Sequence, residues 1–339
     1  MLGNLIRVSP DRPKKNEQGE SGLTVLLALG ANVGVGLLKL AAGLITGSAA
    51  LLSEAAHSAG DSATEILLIV AQKRSQRPAD RRHPFGYGKE RYFWSLIAAM
   101  AIFVSGAAFS FYQGFTAIFG GGESSDLIWI NYPVLALAAV LEGISFRQAA
   151  LQMHGETKRL RLTVGQYIAR PRDPTVNSVL LEDSAALIGL VVAALGVGLH
   201  QLTGSSVWDG TASMIIGALL LSVSLTLGRA CKNLLVGQQA DPRLMRAVES
   251  WLEEQPEVDD VVDLMTMMTG TDSILLCARV DFVDKASASD LEKACVRLDE
   301  ELRQKWDVLD EIFIQPASRK DKDIRRRVEA RYGQAMADG

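Results

Sequence analysis

Six stretches of this chain are long and apolar, and nothing else in it narrows the fold as much. A membrane-crossing helix needs about 20 mostly apolar residues, and such runs fall at 23–46, 48–72, 92–118, 127–150, 175–201 and 208–234. The third runs from Tyr92 to Ile118 without a charge, the first holds only Lys39, and the fourth only Glu142 and Arg147. Beyond residue 236 the chain turns charged and reads as a soluble domain.

Lysine and arginine set the expected orientation. The arm before span one carries Arg7, Arg12, Lys14 and Lys15. The loop after span two carries Lys73, Arg74, Arg77, Arg81, Arg82, Lys89 and Arg91, and the loop after span four Lys158, Arg159, Arg161, Arg170 and Arg172. The intervening turns TGS, GGGESSD and HQLTGSSVWD carry none. Both termini are therefore expected in the cytoplasm, with Trp129, Tyr132 and Trp208 at the outer interface and Tyr92 and Trp94 at the inner one. The first 22 residues lack a cleavable apolar core and read as a polar cytosolic arm. A net charge of −4 gives no reason to expect nucleic acid as a partner. Cys231, Cys277 and Cys295 show no CxxC spacing, so neither a disulfide framework nor a zinc knuckle is indicated.

Span two breaks the apolar rule. Within SEAAHSAGDSATE, residues 53–65, stand Glu54, His57, Asp61 and Glu65 with no basic residue beside them. At about 100° per residue they fall within an arc of roughly 80°. Ala55, Ala56, Ala59, Gly60 and Ala63 are small enough for neighbouring helices to come close. An acid in mid-membrane costs about 2.5–3.5 kcal/mol on insertion scales, so the stripe must face the bundle interior or a wet cavity, with Glu54 nearest the outer water. Partners on neighbouring helices would account for such charges. His57 and Asp61, one turn apart, also form half a site for a divalent ion such as zinc. The other half is expected on span five, where Glu182 and Asp183 stand without a base. Helix rise brings Asp183 near the depth of Asp61. Adjacent residues point about 100° apart, so Asp183 is favoured as the ligand, with Glu182 as a fourth ligand, gate or proton carrier. Asn32 and Lys39 share a face of span one, where Lys39 balances a carboxylate or snorkels.

The run ANVGVGLLKLAAGLITGSAALLSEAAHSAGD, followed by HPFGYGKERYFWSLI, resembles the cation diffusion facilitator family of divalent-metal transporters, and LLEDSAA in span five resembles the branch containing zinc transporter nine. The resemblance implies export of zinc or a related ion from the cytosol by proton antiport in a homodimer. It matches His57 and Asp61 to the span-two ligands and Asp183 to the span-five aspartate. The partner usual one turn earlier is replaced by Val179, which leaves the fourth ligand open among Glu182, Ser178, Asn177 and water. Glu54, Glu65, Asn32, Lys39 and Asn177 are read as gate or supporting residues. No permanent cofactor is expected, only the transported divalent metal with protons as coupling ion. Manganese, iron(II), cobalt and cadmium are alternatives to zinc. His83, in the loop before span three, could touch metal at the inner mouth, while His154 and His200 stand alone.

The soluble part opens with a helix from Pro242, capped by Asp241. Two strands follow, meeting at Gly270-Thr271-Asp272, with Leu276, Ala278, Val280 and Phe282 alternating onto one face. A helix with Leu291, Cys295, Leu298 and Leu302 inward and a last strand, DEIFIQP, complete it. The expected fold is thus an α-helical membrane protein: six transmembrane helices, then a small α+β ferredoxin-like cytoplasmic domain (αββαβ). The expected divisions are an N-terminal arm (1–22), the transmembrane domain (23–235), a dimerisation domain (236–318) and a charged tail (319–339) that forms a helix or loose end able to touch anionic lipid. No histidine follows His200, and Cys277, Asp281 and Asp284 would make a poor metal site. No HExxH or comparable catalytic pairing appears, so an intramembrane metallohydrolase and any other enzyme are not expected. A non-transporting scaffold would gain nothing from the acids of spans two and five. The expected location is a bacterial inner membrane.

Overall fold

The computed structural model describes residues 17–120, 127–160 and 174–332. The start of the N-terminal arm, most of the GGGESSD turn, Arg161, Arg170, Arg172 and the end of the tail lie outside them, as does the side chain of Asn177.

Six long helices account for the apolar part of the described chain: α1 (Glu17–Thr46), α2 (Ala49–Ser75), α3 (Glu90–Gly120), α4 (Asn131–Leu160), α5 (Pro174–Thr203) and α6 (Val207–Val236). Among the described residues, α3, α4, α5 and α6 contain stretches long and apolar enough to cross a membrane, and α1 contributes a shorter apolar stretch, Asn32–Thr46. The acids of α2 remove it from that set. The α1–α2 turn reverses on Gly47, whose φ of 71° lies in the region that favours glycine. Within α3 the residues Ile102–Ala108 widen to π-helical winding, a distortion seen often at functional sites. Gly60 of α2 packs there: a Cβ on it would meet Ser105 Oγ at 2.8 Å. A larger residue before Asp61 would require the Ser105 hydroxyl to move.

The chain forms two compact units, Met1–Ile66 with Ala101–Gln148 and Leu181–Ser224, and Leu67–Met100 with Ala149–Leu180 and Leu225–Gly339. The second unit contains the C-terminal elements α7 (Pro242–Glu253), β1 (Val258–Met268), β2 (Ile274–Phe282), α8 (Ala288–Lys305), β3 (Leu309–Pro316) and α9 (Lys322–Tyr332). Their order is αββαβ before α9. The sheet runs β1-β2-β3, β1 antiparallel and β2 parallel to its neighbour β3. Asp241 caps α7, accepting from the Arg243 N–H, and Ser287 with Asp290 forms a reciprocal capping box on α8. Leu276, Ala278, Val280 and Phe282 are buried as their alternation requires, under Val248, Leu252, Leu298 and Leu302.

Two expectations need correction. Cys295 is half-buried beside the core, because Ala294 takes the inward position on α8. Tyr92 is fully buried and packs into the apolar cluster with Leu234 and the sheet residues, so it does not sit at a lipid interface. Nearby, Gly88 approaches the β1–β2 turn so closely that a Cβ would lie 2.8 Å from Gly270 Cα. The charged tail forms α9 over the described residues. Its Arg331 reaches Asp263 on β1.

Candidate metal centre

In the first unit the charged face of α2 meets a lysine from α1 and acids from α4 and α5. Lys39 of α1 is completely buried, and its ammonium lies 3.1 Å from Glu54 Oε2, 3.0 Å from Ser58 Oγ and 3.9 Å from Glu142 Oε1 on α4. Glu54 is fully buried and paired. The pairing offsets the cost of two charges taken from water.

His57 Nδ1 lies 3.5 Å from Asp61 Oδ1, the separation that an i, i+4 pair on one helix face provides. The opposite nitrogen, His57 Nε2, is buried without a hydrogen-bond partner. Glu54 Oε1, Asp61 Oδ1, Glu65 Oε2 and Glu182 Oε1 share that condition. Orphaned buried oxygens and nitrogens are uncommon in folded proteins and call for an explanation. Four of these five atoms lie on α2 and the fifth on α5.

Helix α5 carries Glu182 and Asp183. Glu182 is buried, and Asp61, Asp183 and Glu65 are its charged neighbours. Asp61 in turn has Glu142, Lys39, Asp183 and Glu54 as charged neighbours. Asp183 accepts a hydrogen bond from Ser145 Oγ of α4 at 2.8 Å. Asn32 Nδ2 donates to Glu65 Oε1 at 2.7 Å, tying α1 to α2 one turn beyond Asp61. Val179 is aliphatic and partly exposed. Among the described residues, no three histidine, cysteine, aspartate or glutamate donors converge closely enough to hold an ion together. His57 and Asp61 are adjacent, while Asp183 is engaged by Ser145.

Three participants were not singled out from the sequence as part of this site. Glu142, the one acid inside span four, faces Lys39, and an acid in an apolar run is itself a signal. Ser145, three residues further along α4, positions Asp183. Asp209, in the first turn of α6, accepts from Ser48 Oγ and from the backbone N–H groups of Ala49 and Ala50, capping α2. No local pattern announces such a cap.

The remaining candidates are engaged elsewhere or stand apart. His83 lies 3.5 Å from Asp80 and stacks on Tyr87, with ring centroids 4.2 Å apart. His154 is exposed, and His200 is buried beside Asp209 with both ring nitrogens lacking a hydrogen-bond partner. In the C-terminal part Asp281 accepts from the Arg319 N–H, and burial pushes the Cys277 thiol up despite the opposing Arg279 charge. A raised thiol is a poor metal ligand at neutral pH.

Apolar helices enclosing a stripe of acids and one imidazole define a multi-pass membrane protein with an interior suited to cations. The chain belongs to the cation efflux, or cation diffusion facilitator, family: residues 25–236 match the cation efflux transmembrane domain. It is 34% identical over 278 residues to a Xenopus laevis protein named "Proton-coupled zinc antiporter SLC30A9, mitochondrial", covering 82% of this chain and 50% of that one. The human protein of the same name is 32% identical over 261 residues, covering 77% and 46%. Metal tolerance protein C4 of Arabidopsis thaliana is 30% identical over 267 residues, covering 79% and 58%. The chain thus spans about half the length of the curated relatives it matches. The similarity of span five to the zinc transporter nine branch agrees with these relatives.

Proposed function

We propose that this protein moves a divalent metal ion, zinc first, out of the cytosol in exchange for protons. The observation that carries the reading is the His57–Asp61 pair: the imidazole Nε2 is buried and unpartnered, and Asp61 has Asp183 of α5 among its charged neighbours. Relatives named as proton-coupled zinc antiporters support both the ion and the coupling. Asp183 joins the pair as third ligand and Glu182 supplies the fourth donor in place of Val179. Open to the cytosol, His57, Asp61 and Asp183 release protons and take the ion. Facing outward they regain protons and the ion leaves. Ligand deprotonation ties the two fluxes together.

In this reading all six long helices span the bilayer, both termini are cytoplasmic, and the αββαβ lobe is a ferredoxin-like dimerisation domain of a homodimer. Its residence is a cell-bounding or organellar membrane. Relatives named as mitochondrial give no support to the bacterial inner membrane expected from the sequence. A second reading, transport of manganese, iron(II) or cobalt, is favoured by the excess of carboxylates over a single histidine, since oxygen donors suit harder ions.

The test is zinc uptake into proteoliposomes driven by a proton gradient. Flux should fall to background in His57→Ala and in Asp61→Ala. Wild-type flux in both variants would overturn the proposal.

A further inference from the structure

Lys39 stands where a cation would be held. Its ammonium is surrounded by Glu54 Oε2 at 3.1 Å, Ser58 Oγ at 3.0 Å and Glu142 Oε1 at 3.9 Å, two carboxylates and a hydroxyl drawn from α2 and α4. The second oxygen of Glu54 is buried without a hydrogen-bond partner. Gly189 of α5 closes the far side, where a Cβ would lie 2.5 Å from that oxygen. Carboxylate and hydroxyl oxygens without nitrogen or sulfur suit hard divalent ions such as manganese and magnesium. His57, on the next turn of α2, supplies nitrogen and suits zinc.

We propose that Lys39 is a tethered cation filling a second, all-oxygen divalent position, so that, on the zinc reading, one metal ion enters among these helices and a hard one is kept out of this position. The word "second" rests on reading His57 and Asp61 as a metal half-site. An ammonium and a dication cannot share the same three oxygens, because like charges at such separations repel strongly where water is scarce. Lysine suits the task as a compact point charge on a flexible stem. Lys39 acts through Glu54 and Glu142 and is a positioning residue in this scheme.

The experiment measures metal bound to the purified full-length chain in detergent, with Mn²⁺ and Zn²⁺ as separate probes. All Lys39 variants are made in a His57→Ala background, so that the first site does not enter the count. Relative to His57→Ala alone, adding Lys39→Met or Lys39→Gln should gain about one Mn²⁺ per chain. Adding Lys39→Arg, which keeps the charge, should gain none. Combining Lys39→Met with Glu54→Gln should abolish the gain. Lys39→Gln carries the test if Lys39→Met does not fold, because its side chain is polar but uncharged. Absence of extra Mn²⁺ in the folded Lys39 variants overturns the inference, and so does an equal gain with Lys39→Arg. The half-site reading fails separately, if His57→Ala alone keeps wild-type Zn²⁺.

Discussion

Ser48 Oγ donates to Asp209 Oδ1 at 2.8 Å, joining the starts of two helices that lie 161 residues apart in the chain. The other Asp209 oxygen accepts from the first backbone N–H groups of α2, so one carboxylate from α6 caps the helix that carries His57 and Asp61. A buried carboxylate with three donors is a strong local constraint. Asp209→Ala should cost about 1–3 kcal/mol, read as a lower thermal unfolding midpoint of the detergent-solubilised protein. Asp209→Asn, which keeps an acceptor, should lose less.

Gly189 leaves room for Glu54, and Gly143 has open space around it. Alanine at 189 should push Glu54 off Lys39 and lower stability by about 1–3 kcal/mol. Alanine at 143 should be neutral or stabilising by up to about 1 kcal/mol, since glycine is the poorer helix former. Comparing the two unfolding midpoints checks the claim, and equal shifts would contradict it.

Asp263 on β1 is buried and held by Arg279 at 2.8 Å and Arg331 at 2.9 Å, the second from α9. Arg279→Ala should destabilise the full chain by about 1–3 kcal/mol, limited because Arg331 remains. Arg331→Ala should cost less, as that side chain is the more exposed of the two. Exposure of α9 to trypsin should rise in Arg331→Ala.

Asp80 organises the loop between α2 and α3, accepting from the Tyr87 hydroxyl at 2.8 Å and from the N–H groups of Arg82 and His83. The Tyr87 hydroxyl, then these backbone donors, hold its carboxyl below the usual range. A depressed folded value means the contribution is present above the unfolded value of about 3.9 and is lost as pH falls through the lower folded one. Hydrogen exchange at Arg82 and His83 should therefore stay slow at about pH 5 and quicken only below about 3.9. Tyr87→Phe should quicken it already at neutral pH. Unchanged exchange in that variant would exclude the hydroxyl from the loop's order.

What the sequence by itself determined is everything a local rule governs. Mean hydropathy over a window of helix length located the long helices, the 100° period put Glu54, His57, Asp61 and Glu65 on one face, and alternation with capping residues drew the αββαβ lobe. Each of those signals sits within one element, so no neighbour is needed to read it.

Only the tertiary structure decided which groups meet across elements. Helical periodicity gives a helix a face but not the direction in which that face points. Lys39 was expected to balance some carboxylate, and the packing of α1 against α2 and α4 chose Glu54 and Glu142. The same packing gave Asp183 to Ser145, made Asp209 a cap for α2, and drew Tyr92 into the core beside the sheet. These partners are far apart along the chain, and their meeting depends on the rotation and separation of helices, which small residues such as Gly60 and Gly189 set.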